Sequence, residues 1–136
     1  IKLKTYRNYI NDNNLDKIVK IIPFQKNPIK FLKRSDLFIL SSKYEGLPNV
    51  LLESVALKIP IISSNCKSGP TEILSKNKGG LLFKNNNEKD LVKKIKYFIK
   101  NKKIMSKKAN YAFKNLDRFD KKKNLEEYLK IILQYI

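Results

Sequence analysis

Histidine and tryptophan are absent from this chain of 136 residues, cysteine and methionine occur once each, and glycine occurs only four times. Without histidine, and with Cys66 as the one thiol, the ordinary residue sets that hold zinc are unavailable and no disulfide can close within the chain. Metal chemistry is therefore not expected. The same lack leaves Cys66 without an imidazole to activate it, which sets aside a nucleophilic role for that thiol. No run approaches the roughly 20 apolar residues that span a bilayer, and no charged-then-apolar opening resembles a signal peptide. The expectation is a cytoplasmic protein. No Gly/Ser-rich or Pro-rich linker and no fixed-period repeat divides the chain, so residues 1–136 are read as a single domain.

Acidic residues are scarce as well: 12 Asp and Glu stand against 30 Lys and Arg, a formal net charge of +18. Such a balance attracts phosphates, nucleic acid and acidic lipid alike. It equally describes lysines that fill solvent positions, as at Lys93, Lys94, Lys96, Lys100, Lys102 and Lys103. Charge alone does not choose between these readings. The hydrophobic content of 42%, with 10% aromatic residues, is enough to build a core.

Short apolar runs of strand length alternate with stretches of helical spacing, the pattern of a parallel sheet covered by helices. Leu3, Tyr6, Tyr9 and Ile10 read as a helix already under way, and the chain opens on Ile1 rather than Met, so an upstream portion is expected to be missing. Ile18 to Phe24 and Leu37 to Leu40 are predicted as buried strands, with a short helical piece near Pro28 to Arg34 between them. Asn49 to Lys58 carries a helical apolar set, after which Pro60 forces the chain into the strand residues Ile61 and Ile62. Thr71 to Ser75 forms a short helix, Gly79 and Gly80 break it, and Leu81 to Phe83 make a last strand. From there on the pattern is helical. Residues 88–101 place Leu91, Ile95, Phe98 and Ile99 on one face, and residues 103–116 place Ile104, Ala109, Ala112, Phe113 and Leu116 on one face. A final helix runs over about residues 121–135. The fold class is α/β: a Rossmann-like parallel sheet of about four strands flanked by helices, with a helical C-terminal part.

Chemistry concentrates in Ser41-Ser42-Lys43-Tyr44-Glu45-Gly46-Leu47-Pro48-Asn49-Val50-Leu51-Leu52-Glu53. The segment follows a strand and leads into a helix, which puts its turn at the carboxyl edge of the sheet, where open α/β sheets bind ligands. The first amides of the helix, around Asn49 to Leu51, and the helix dipole form a site for a phosphate. Glu45 and Glu53 flank that turn, and a carboxylate is the natural acceptor for the paired hydroxyls of a sugar. The plainer reading is that Glu45 complements the helix dipole and Glu53 is a solvated helix residue. Both stand on residue types alone.

Glu45-Gly46-Leu47-Pro48-Asn49-Val50-Leu51-Leu52-Glu53 resembles the glutamate, seven residues, glutamate motif of family four of the retaining glycosyltransferases. Ser35-Asp36-Leu37-Phe38-Ile39-Leu40-Ser41-Ser42 is similar to that family's strand into the motif, and Lys58-Ile59-Pro60-Ile61-Ile62 to the following helix end and strand. Gly69-Pro70-Thr71-Glu72-Ile73 is similar to the next loop and Gly79-Gly80-Leu81-Leu82-Phe83 to the closing strand, so that roughly residues 15 to 100 match in order. The resemblance implies the second half of a GT-B fold, the donor-binding half, with the amino-terminal acceptor domain missing. It implies transfer of a hexose, with retention, from a UDP- or GDP-sugar to a saccharide or lipid-linked acceptor in cell-surface polysaccharide or lipopolysaccharide synthesis. UDP is favoured over GDP, and no cofactor or metal is implied.

Carried over position by position, Glu45 lies by the donor sugar as the catalytic-site carboxylate and Glu53 holds the ribose hydroxyls. The amides of Gly46, Leu47, Pro48, Asn49, Val50 and Leu51, proline contributing only its carbonyl, flank the sugar and diphosphate, while Phe24 and Gln25 match where the base is held. Two departures stand out: the family has glycine where Ile22 and Pro23 sit and again near Lys58. The family's basic pair for the diphosphate lies upstream of this chain, and the fragment alone is expected to be inactive.

Two other functions are weighed against this one. A non-catalytic remnant that binds nucleotide sugar weakly fits the same residues. A basic nucleic-acid-binding module needs aromatic stacking platforms among the basic residues, whereas Tyr and Phe here mostly occupy apolar faces, so no nucleic-acid partner is expected. The basic amphipathic stretch from Lys89 to Lys108 either covers the sheet or touches an anionic membrane, which would place the enzyme peripherally on the inner face.

Overall fold

A computed structural model of the chain describes residues 2–134. Its centre is a parallel sheet of three short strands in the order β1 (Phe38–Leu40), β2 (Ile61–Ser64), β3 (Leu81–Phe83). Phe38 pairs with Ile61 and Ile62 with Leu81, so the strands are in step along their length. Helix α1 (Lys2–Asp12) and the single turn α2 (Ile29–Leu32) precede the sheet. Helix α3 (Asn49–Ala56) crosses from β1 to β2, and α4 (Pro70–Ile73) from β2 to β3. Helices α5 (Glu88–Lys100) and α6 (Lys102–Lys114), a 3-10 turn (Leu116–Phe119) and α7 (Lys121–Ile132) complete the described chain.

Side chains alternate across a strand, and that alternation splits the core into two layers. Ile61 and Leu82 face one side with Leu51 and Val55 of α3, Ile73 of α4, Leu74 and Ala112 of α6. Ile62, Leu81 and Phe83 face the other with Phe98 of α5 and Met105 of α6. Both faces of the central strand are covered, and all four of its residues, Ile61, Ile62, Ser63 and Ser64, are buried.

Asn87 opens α5 by accepting a hydrogen bond from the Asp90 amide at 2.8 Å, and Asp120 opens α7 the same way with Lys123 at 2.9 Å. At the other end of α3, the Lys58 amide donates to Val55 O and the Ile59 amide to Ser54 O, a Schellman closure. Its left-handed residue is Lys58, at φ 55°. This is where the family resemblance expects glycine, and the geometry gives the reason: the closing position favours a residue without a Cβ.

The structure departs from the sequence reading in three places. Ile18 to Phe24 forms no strand: it begins in a turn, where the Ile18 and Val19 amides both donate to Leu15 O, Ile18 is 80% and Phe24 89% exposed, and the sheet has three strands rather than about four among the described residues. An apolar run supplies a face but not a neighbour to bond with, and Pro23 lacks the amide a ladder requires. β1 is only partly buried, with Ile39 exposed, whereas β3 at the opposite edge is fully buried and packs with Phe98 of α5. On α6 the buried face is set by Met105, Ala109 and Ala112, while Ile104 and Phe113 are exposed; on α5, Ile99 is exposed. The final helix, α7, forms where the sequence reading has it and buries none of its residues. The terminal Tyr135 lies outside the described residues.

Candidate functional site

The loops that leave β1, β2 and β3 emerge at one edge of the parallel sheet, and the segment 41–48 is held there from two sides. Ser64, the last residue of β2, donates its hydroxyl to Ser42 O at 2.6 Å. Asn85, just past β3, donates its side-chain amide to Lys43 O at 2.8 Å. Ser68 Oγ lies 3.0 Å from Glu45 O as donor, and 2.6 Å from Lys67 O. Three side chains from the neighbouring loops thus fix three carbonyls of one turn, and the contacts span 22 to 42 positions of sequence. Asn85 Oδ1 is buried and has no hydrogen-bond partner among the described residues.

Gly69 makes the closest backbone approach in this region. It sits at φ 43°, and a Cβ there would fall 1.9 Å from Gly46 O and 2.8 Å from Pro48 Cδ. Only glycine lets the loop after β2 lie against the turn after β1.

The turn ends in Pro48, which is extended at φ −72° and starts α3 without any side-chain cap. Proline suits a position where an amide would have no helical partner. Pro48 and Leu51 are buried, Glu45 and Val50 are half-buried, and Gly46, Leu47 and Asn49 are exposed. Gly46 and Leu47 face a cleft of about 620 Å³ shared with Ser68, Gly69, Glu72 and residues of α7. Glu53, half-buried on α3, lines a separate hollow of about 390 Å³ with Asp117 and Asp120. The structure does not bring Glu45 and Glu53 into one cavity, and neither hollow contains Phe24 or Gln25. Phe24 is exposed, and Gln25 donates its side-chain amide to its neighbour Pro23 O at 3.3 Å.

Sequence reasoning missed Ser64, Ser68 and Asn85 as the groups that hold the turn, and Arg118 as the closure of α4. Arg118 Nη2 donates to Glu72 O at 2.5 Å, Ile73 O at 3.1 Å and Ser75 Oγ at 2.9 Å. Nothing in residue spacing announces such long-range bonds; of the whole set, only the Gly69-Pro70 pair carried a local signal. Burial lowers the pKa of Lys108, whose ammonium donates to Asn77 O.

Residues 2–115 match the family described as glycosyl transferases group 1. The chain belongs to that family. A glycosyltransferase of Methanocaldococcus jannaschii, itself described as uncharacterized, is 52% identical over 65 residues, which cover 48% of this chain and 16% of the relative. The N-acetylgalactosamine-N,N'-diacetylbacillosaminyl-diphospho-undecaprenol 4-alpha-N-acetylgalactosaminyltransferase of Campylobacter jejuni is 31% identical over 124 residues, 91% of this chain and 34% of that protein. Among solved structures, a variant of TarM from S. aureus in complex with fondaparinux, alpha-GlcNAc-glycerol and UDP superposes with a TM-score of 0.83 at 26% identity, covering 93% of this chain and 26% of that one. The chain therefore spans about a third or less of the length of these group 1 glycosyltransferases. Its likeness runs through the sheet and the turn after β1, and the GT-B assignment of the sequence reading holds. Among the described residues no helix is long and apolar enough to cross a membrane.

Proposed function

We propose that this chain is the donor-binding part of a retaining glycosyltransferase that moves a hexose from a nucleoside-diphosphate sugar to a saccharide or lipid-linked acceptor in cell-surface polysaccharide or lipopolysaccharide synthesis. The observation that carries the reading is the turn 45–48: it sits at the carboxyl edge of a parallel sheet, opens directly into α3, and is fixed by Ser64, Ser68, Asn85 and the close approach of Gly69. A turn fixed this firmly presents amides that need no rearrangement when a diphosphate arrives. The UDP bound in the TarM complex supports a uridine nucleotide over a guanosine one.

In this reading Glu45 lies beside the donor sugar and Glu53 accepts from the ribose hydroxyls. The backbone from Gly46 to Leu51 takes the sugar and the diphosphate, and the segment at Phe24 and Gln25 meets the base. Neither glutamate is a nucleophile; the chain's contribution to the reaction is to hold the departing diphosphate as its charge develops. No metal takes part. In this reading the residues of this chain supply donor binding, and acceptor binding falls to other parts of the enzyme. Work at the inner membrane face, with the lysine side of α5 toward anionic lipid, suits an enzyme acting on lipid-linked acceptors.

Calorimetric titration with UDP-hexoses and GDP-mannose, alongside Glu53→Ala and a short DNA duplex, tests this. Saturable sugar-nucleotide binding that Glu53→Ala weakens at least about tenfold is expected. Salt-sensitive binding to DNA alone would sink the donor reading and promote a basic binding module.

A further inference from the structure

A cavity of about 810 Å³ lies beside the cleft that holds Gly46 and Leu47, between the loop after β2, α4 and α6, and no step of the donor reading uses it. Lys67, Lys76, Lys78 and Arg118 line it against one carboxylate, Glu72. Four cations drawn from three separate stretches of chain line one concavity. Tyr111 adds an aromatic wall and a hydroxyl.

The wall that carries Lys76 is built in advance. Ser75, Lys76 and Asn77 stand at φ 47°, 51° and 74°, three consecutive residues with side chains in the left-handed region. Such a run persists only where its surroundings impose it. Here Arg118 binds Glu72 O, Ile73 O and Ser75 Oγ, Lys108 donates to Asn77 O, and Asn77 Oδ1 accepts from the Leu82 amide at 2.6 Å. The loop is tied to α6, to the 3-10 turn and to β3, and Lys76 and Lys78 project from a fixed frame.

We propose that this cavity binds a second ligand carrying one or more phosphate groups, at a site separate from the donor turn. Glu45, Gly46, Leu47 and Glu53 are not among its lining residues, and it meets the neighbouring cleft through Ser68, Glu72 and Arg118. A multiply charged anion spans several of the cations at once, where any one exposed lysine contributes little. The single carboxylate, Glu72, disfavours binding of a simple acidic surface pressed flat against the site and favours a ligand with hydroxyls next to its phosphate.

The probe is inorganic pyrophosphate, titrated by calorimetry into the chain, into Lys76→Ala/Lys78→Ala and into Lys93→Ala/Lys96→Ala, which removes the same charge from α5. Saturable binding weakened about fivefold by the first pair and unchanged by the second is expected. Equal weakening by both pairs, or no saturation, would show diffuse charge attraction and overturn the site. Thermal melts of the two variants matching the parent exclude loss of fold as the cause. Vesicles containing phosphatidylglycerol separate the sources: competition with pyrophosphate identifies a lipid headgroup, and its absence a soluble phosphate. Sugar-nucleotide binding is expected to be unchanged in Lys76→Ala/Lys78→Ala; its loss there would merge the two sites and overturn their separation, whereas absent sugar-nucleotide binding in the parent would leave the pyrophosphate result intact.

Discussion

At Gly69 two loops touch backbone to backbone, and the hypothetical Cβ at 1.9 Å from Gly46 O leaves no room for any side chain. Gly69→Ala is therefore expected to cost about 2 kcal/mol or more in urea unfolding, since the atom it strikes belongs to a rigid turn. Ser64 and Asn85 act on the same turn by hydrogen bonding. Ser64 is fully buried, and Ser64→Ala leaves Ser42 O without that donor, a loss expected at about 1–2 kcal/mol in the same measurement. Lys58 tests the opposite case: it holds a left-handed angle, and its ammonium sits 4.3 Å from the centroid of the Phe113 ring. Lys58→Gly relieves the backbone while losing the ring contact, so it is expected to change stability by less than about 0.5 kcal/mol, whereas Lys58→Val should cost about 1 kcal/mol or more. Equal melting shifts for the two would contradict that account.

The elements divide into those whose pattern agrees with their surroundings and those where the surroundings decide. α3, β2, β3 and α5 were legible because a single strong signal marks each: Pro60 before β2, Gly79 and Gly80 before β3, and an apolar face on α3 and α5. Ile18 to Phe24 carries as apolar a run as any of them and yet has no partner strand, because pairing is a property of two segments. On α6 the sequence reading places Ala109 and Ala112 on the buried face, as they are, but Met105 and not Ile104 fills the layer beneath Phe98, and Phe113 is exposed. The turn at Glu45 was legible from its order, strand then turn then helix. The serines and the asparagine that hold it were not, because each acts across more than 20 positions. α3 ties the site to the core through Leu51, which is buried to 0% exposure two residues after the helix starts. Leu51→Ala is expected to lose about 2–5 kcal/mol and to weaken ligand binding at the turn along with it, read by unfolding and by titration on the same sample.

Across the whole molecule the charge is strongly one-sided. With a net charge of +18 and one salt bridge among the described residues, Lys123 with Asp117 at 3.2 Å, mutual repulsion acts against compaction. Added salt screens it, so the melting temperature is expected to rise between low ionic strength and physiological salt; a fall would mean that local pairs outweigh repulsion. The apolar surface is also unevenly placed, with Leu125, Tyr128, Leu129 and Leu133 of the α7 region and Tyr6 and Tyr9 of α1 exposed. What unites these features with the fold is the turn after β1, and the donor reading depends on it. The most direct measurement is a backbone amide NMR titration with a UDP-hexose: the donor reading predicts saturable shifts concentrated in residues 45–53 and in the loop at Ser68 and Gly69, and shifts confined to the lysine faces of α5 and α6 would contradict it.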